Sequence, residues 1–161
     1  MSGVVVADTT PLNYLSLIGG FDVLGSLFGE VWAPTAVMEE LRHPNAPDAV
    51  KRWLDAPPSW LGIKDVVQLD STVQLGRGET AAISLALEHH LNVVLMDERR
   101  GRQEAESRGL IAVGTLNILD LADERGELDG LAALGALRMT NFRADTELLD
   151  RLEARLRARG S

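Results

Sequence analysis

The 161-residue chain contains no cysteine. That absence excludes a disulfide scaffold, a thiol nucleophile, a zinc–thiolate site and a thiol redox switch. It fits a reducing compartment, and a cytoplasmic location is expected. Aromatic residues make up only 4% of the chain, so Trp32, Trp53 and Trp60 read as core or interface rather than as stacking platforms. Basic residues are scarce too: 16 Lys and Arg stand against 24 Asp and Glu, a formal net charge of −8. A global basic footprint for nucleic acid is therefore missing. No apolar run reaches the ~18–20 residues that cross a bilayer, so no membrane association is expected. The opening Met-Ser-Gly carries no basic segment ahead of its valine run, unlike a signal peptide. What remains is average globular composition, 45% hydrophobic and 25% charged, on a length that suits one domain over 1–161.

Short apolar runs alternate with helical patterns along the chain. Val4–Ala7 and Val93–Met96 suit strands buried on both faces of a parallel sheet. Glu30–Ala33 and Leu110–Val113 add two more strands, and Trp60–Leu69 holds an edge strand. Pro11 suits the first turn of a helix through Leu12, Leu15 and Ile18, stopped at Gly19-Gly20. Further helices are expected over Phe21–Phe28, from Pro34 to about Arg42, around Ala49–Leu54, and from Glu79 to about His90. Others follow over Arg99–Arg108, Leu116–Arg125, Leu131–Arg138 and Thr146–Arg159. The alternation predicts an α/β fold, a mostly parallel five-stranded sheet flanked by helices in three layers. The stripe Leu148, Leu149, Leu152 and Leu156 should pack on the domain or on a second subunit.

The acids are the informative residues. Each of the two most apolar strands ends in an aspartate, Asp8 and Asp97. Ligands in open α/β sheets bind beyond the carboxyl ends of the strands, and pairing of these strands would bring both aspartates to one edge. The bland reading has Asp8 capping the helix near Pro11 and Asp97 capping the one near Arg99. Glu79 shares a helical stripe with Ile83 and Ala86, where a carboxylate must be paired, protonated or bound to a cation. A first helical position that is exposed and favoured by the dipole is the alternative. On the helix after Pro34, Glu40 falls at the edge of the Val37–Met38–Leu41 stripe and Glu39 nearly opposite it. Two carboxylates ~5 Å apart repel by roughly 3 kcal/mol at an effective dielectric near 20. If Asp8, Glu40, Glu79 and Asp97 converge, they need cations. Oxygen ligands without His or Cys select hard ions, so Mg²⁺ or Mn²⁺ is expected, and such a site suits phosphodiester hydrolysis.

Four segments carry a family resemblance: Val4-Val5-Val6-Ala7-Asp8-Thr9-Thr10-Pro11-Leu12, Ala33-Pro34-Thr35-Ala36-Val37-Met38-Glu39-Glu40-Leu41, Gly76-Arg77-Gly78-Glu79 and Val94-Leu95-Met96-Asp97-Glu98-Arg99. Together, from about Val4 to Thr115, they resemble the PIN-domain family of metal-dependent nucleases, most of all its small prokaryotic members related to VapC toxins. The resemblance implies one or two divalent metals and attack by metal-activated water on an RNA phosphodiester. It makes Asp8, Glu40, Glu79 and Asp97 the metal-binding acids and Thr10 the hydroxyl that orients Asp8 or a water. Glu98 is an alternative fourth acid, with Met96 where relatives often carry threonine and Glu79 where many carry aspartate. It also implies a homodimer and pairing with a small antitoxin protein.

Arg99, Arg100 and Arg102 follow Asp97 and are candidates for holding substrate phosphates; a solvated face laced with Glu104 and Glu106 is the competing reading. Arg42 and Arg77 are weaker candidates of the same kind. His89 and His90, adjacent at a helix end, make a poor metal pair. An inactive PIN-like module that binds RNA or protein is the second function class. A phosphohydrolase using Asp8 as nucleophile is the third, disfavoured because Thr10 stands where a second aspartate belongs and Lys51 and Lys64 lie at no late strand end.

Overall fold

The computed structural model describes residues 3–160. The reading of the opening Met1-Ser2 and the outermost ends of the 1–161 unit lie outside these residues. Among them run β1 (Val4–Ala7), α1 (Thr9–Leu17), α2 (Val23–Phe28), β2 (Glu30–Pro34), α3 (Thr35–Leu41), α4 (Asp48–Leu54) and β3 (Leu61–Lys64). They continue with α5 (Arg77–Glu88), β4 (Val93–Leu95), α6 (Arg99–Ser107), β5 (Ile111–Val113), α7 (Thr115–Glu124), α8 (Gly130–Arg138) and α9 (Thr146–Gly160).

The five strands form one sheet in the order β3-β2-β1-β4-β5, and every pairing is parallel. The expected α/β three-layer architecture is the observed one. Strand residues alternate between the two faces, as pleating requires. Val5, Ala7, Val31, Ala33 and Leu95 meet α1, α3, α4 and α7 on one side. Val6, Val94 and Met96 meet α5 and Ala105 of α6 on the other. Because both faces are covered, the strands read as continuous apolar runs rather than as alternating ones.

The chain builds outward from β1 through β2 to β3, then returns to the other side of β1 for β4 and β5. The boundary between β1 and β4 is therefore the topological switch point, where the connecting loops diverge and leave a crevice. In the register between these strands Ala7 faces Leu95, so Asp8 leaves the sheet opposite Met96, with Asp97 one residue beyond. The Asp8 N–H donates to the Leu95 carbonyl at 2.9 Å, fixing that exit.

Beyond β5, Ile118 and Leu119 of α7 belong to the main core. Leu134 of α8 then packs with Leu152 and Leu156 of α9 in a smaller cluster that Leu149 joins. The leucine stripe of α9 is thus covered by the chain's own helices, except Leu148, which is exposed. Arg159 bridges to Asp120 and Asp123, both at 2.8 Å, and Arg155 also pairs with Asp120, locking α9 along α7. Leu134→Ala should lower stability by about 2–4 kcal/mol through a cavity at this junction, measured as a lower urea midpoint with an unchanged slope.

Candidate metal centre

Asp8 is the deepest acid in the molecule, 4% exposed, and its Oδ1 has no hydrogen-bond partner. It stands at the N-cap of α1, yet its side chain makes no capping hydrogen bond there. The capping reading therefore fails for Asp8: the strand exit buries the carboxylate instead of turning it back over the helix. Burial pushes its pKa from 3.8 up to about 7. The backbone N–H of Thr9 opposes that rise, while the charges of Glu79, Glu40 and Asp97 add to it. Asp8 therefore lies in the fields of the other three acids of the sequence analysis, which come from α3, α5 and the end of β4.

Each of the other three is positioned by a different element. Glu40 reaches in from α3, accepting the Thr9 hydroxyl at 2.7 Å and the Gly78 N–H at 2.9 Å. A Cβ at position 78 would lie 2.6 Å from Glu40 Oε1, so any larger residue there would have to displace the Glu40 carboxylate. Glu39 points the other way, paired with Arg77 at 2.9 Å in largely exposed surroundings. The helix carrying Glu79 begins at Arg77, two residues earlier than its periodicity predicts. Glu79 is accordingly half-buried in the first turn, and its Oε2 has no hydrogen-bond partner. Burial raises its pKa, and the adjoining Glu98 carboxylate raises it further.

Asp97 does not cap α6, whose N-cap is Glu98, itself without a capping hydrogen bond. Its carboxylate crosses instead to the start of α7, accepting the Thr115 N–H at 2.8 Å and its hydroxyl at 2.6 Å. Burial raises the Asp97 pKa, against these two hydrogen bonds and the nearby Arg102 guanidinium. Asp97 and Glu98 thus occupy different places: one is anchored on α7, the other lies against Glu79.

Two threonine hydroxyls touch the acids of this centre. Thr10 has no side-chain hydrogen bond among the described residues, and the neighbouring Thr9 is the one that touches an acid. Thr115, which sequence reasoning missed, is the other; a hydroxyl in the first turn after a strand and a glycine was its only signal. Of the arginines, Arg102 stands beside Asp97, Arg100 donates to the Gln74 carbonyl at 3.3 Å, and Arg99 is exposed. Arg42 is turned away onto the Leu54 carbonyl. His89 packs edge-on against Trp32 and lies 3.5 Å from Glu88.

Among the described residues no three acidic or histidine side chains close into a ready ligand set. The donors nevertheless fit a hard cation: they are all carboxylate oxygens, and two of them are buried without partners.

An open parallel sheet with Asp8 buried at its switch point defines the domain as α/β. A family model described as a PIN domain matches residues 4–157, and the chain belongs to the PIN-domain family. Members of this family are in general nucleases, which bind nucleic acid and typically use divalent metal ions. No curated protein matches the chain. No helix among the described residues is long and apolar enough to cross a membrane.

The raised Asp8 pKa has a sign for stability. The folded chain holds the Asp8 proton more tightly than the unfolded chain, so this contribution is full below about pH 3.8 and is lost as pH rises through about 7. Metal-free Asp8→Asn should therefore melt above the wild type at about pH 8, with the gap closing toward about pH 4. Equal melting temperatures at the higher pH, measured in EDTA, would show that Asp8 is not held in a hostile environment.

Proposed function

We propose that the chain is a Mg²⁺- or Mn²⁺-dependent endoribonuclease, acting as the toxin of a toxin–antitoxin pair. The observation that carries the reading is Asp8, buried with an unpartnered oxygen and surrounded by the charges of Glu40, Glu79 and Asp97. Natural proteins seldom bury an unpaired carboxylate without a cation or a proton to offset it.

In this reading Asp8, Glu40, Glu79 and Asp97 hold the metal, with Glu98 able to join from the Glu79 side. A divalent ion there supplies positive charge that polarises a phosphoryl oxygen and eases deprotonation of an attacking water. Thr9 and Gly78 fix the Glu40 carboxylate, and Thr115 fixes that of Asp97, so two acids are preset by neighbours. Asp8 and Glu79 keep free oxygens for the ion. Thr10 orients a water near Asp8. Arg99, Arg100 and Arg102, on the first turn of α6, approach the strand's phosphates. A homodimer and a small antitoxin complete the reading on the strength of the family resemblance.

A second reading, a PIN-like module that binds RNA or protein without cutting, is favoured by one observation: no three acids converge among the described residues. Metal titration separates the two. The nuclease should bind Mn²⁺ and cleave single-stranded RNA, EDTA should stop it, and Asp8→Asn and Asp97→Asn should each lose at least about a hundredfold in rate. RNA cleavage undiminished in both variants, or no Mn²⁺ heat in calorimetry, would sink the proposal. Gly78→Ala should reduce Mn²⁺ affinity by about tenfold, because the added methyl displaces Glu40; unchanged affinity would remove Glu40 from the ligand set.

A further inference from the structure

A chain of net charge −8 has few places where positive charge gathers without a carboxylate to pair it. One lies beyond the C-terminal end of α3. The loop from α3 to α4 reads His43-Pro44-Asn45-Ala46-Pro47, and its two prolines each fix φ and narrow the turn's freedom. The Ala46 N–H closes onto the His43 carbonyl at 2.9 Å, and Ala46 itself is buried. A cavity of about 280 Å³ opens between this loop and α4, lined by Arg42, His43, Ala46, Lys51, Leu54 and Asp55.

Hydrogen-bond donors dominate the polar part of that lining. Arg42 Nη2 donates to the Leu54 carbonyl at 3.3 Å, and Lys51 Nζ donates to the Pro44 carbonyl at 3.3 Å. Each contact uses part of a charged head and leaves its other N–H groups free. His43 Nδ1 accepts the Asn45 N–H at 3.1 Å, so the neutral ring carries its proton on Nε2 as a further donor. None of the three has a carboxylate within ion-pair distance among the described residues. Asp55 is the one acid of the lining, and it pairs with none of them. Two backbone carbonyls thus hold two cationic heads at the cavity without neutralising them. A small, donor-rich space of this kind matches a phosphate, whose oxygens accept several charge-assisted hydrogen bonds at once.

We infer that this cavity binds a phosphate group, held by Arg42, His43 and Lys51. The site is separate from the acids: Glu40 turns to Thr9 and Gly78, whereas Arg42, two residues on, turns to the end of α4. It is nevertheless close to them, because consecutive Cα atoms 3.80 Å apart keep those of Glu40 and Arg42 within about 7.6 Å. An RNA strand laid over α3 meets the carboxylates with one phosphate and this cavity with another. A free phosphate offers the same group without a strand. Phosphate recognition here needs neither a metal nor cleavage, so the inference goes beyond the nuclease reading; only RNA as the bearer of the phosphate comes from it. Asp55 repels the ligand, so removing its charge strengthens the site.

Two measurements on the full chain, both in EDTA so that no metal-dependent cutting runs, read the site through Lys51, whose exposed position on α4 tolerates alanine. The first is anisotropy of a fluorescein-labelled single-stranded RNA oligonucleotide across a salt series. Lys51→Ala should weaken binding by about fivefold and flatten the slope of log affinity against log salt by about 0.7, the value for one phosphate contact on a single strand. Lys51→Arg should keep both. Asp55→Asn should tighten binding by about twofold, a gain that damage to the fold does not produce. The second is the melting temperature in sodium phosphate against sodium chloride of equal ionic strength, where the rise with phosphate should disappear in Lys51→Ala. RNA binding that falls in Lys51→Ala assigns the site to a phosphate of a strand. Unchanged RNA binding with a lost phosphate response assigns it to a free phosphate. A Lys51→Ala chain that matches the wild type in both measurements overturns the inference. Cleavage in Mn²⁺ judges the nuclease reading separately: a chain that does not cut, yet loses phosphate through Lys51→Ala, keeps this site and loses that reading.

Discussion

Pairing of β1 with β4 in parallel brings the ends of two apolar strands side by side at the one place where the chain reverses its direction of travel across the sheet. Everything else at the site follows from that pairing. It buries Asp8 where water cannot solvate the carboxylate, and places Asp97 one residue past the opposite strand. Helices α3 and α5 close over the same edge and add Glu40 and Glu79. A buried carboxylate among other carboxylates is costly, and the chain offsets it only in part. Glu40 and Asp97 receive hydrogen bonds from Thr9, Gly78 and Thr115, whereas Asp8 and Glu79 keep unpartnered oxygens.

The C-terminal helices have a part in this centre although they lie outside the sheet. α7 supplies Thr115 to Asp97, and α9 is locked along α7 by Arg155 and Arg159 on Asp120 and Asp123. Their leucine cluster also fixes the end of α8, from which the 139–145 turn returns to Tyr14. The acid excess of the chain thus divides. Some carboxylates, such as Asp120 and Asp123, are structural partners of arginines, and a small set at the switch point makes no ion pair among the described residues.

Much of the fold was legible because its signals are local. Val4–Ala7 and Val93–Met96 are too apolar and too short for anything but buried strands, and the prolines and glycines around them punctuate the helices. The candidate acids stood out in the sequence, because an aspartate closing a buried strand and a glutamate on a core-facing stripe each conflict with their surroundings. The partners of those acids were not legible. Thr9 and Thr10 are adjacent and chemically identical, and only the turn into α1 decides which hydroxyl meets Glu40. Asp97 looked like a cap for the helix that follows it, but the crossing to α7 joins residues 18 apart in sequence. The choice between Asp97 and Glu98 was undecidable by spacing, since consecutive residues at a strand end diverge to opposite sides and each finds its own neighbour.

By itself the sequence determined the alternation of strands and helices, the parallel sheet, the lack of thiol chemistry and which acids were candidates. These depend on composition and on periodicity within single elements. The tertiary structure alone decided how deeply each acid is buried, which hydroxyls hold two of them, and that Tyr14 tethers the 139–145 turn. Those facts arise from contacts between elements distant in the chain, where strand order and register set the geometry. Periodicity within one element carries no information about its neighbour's register.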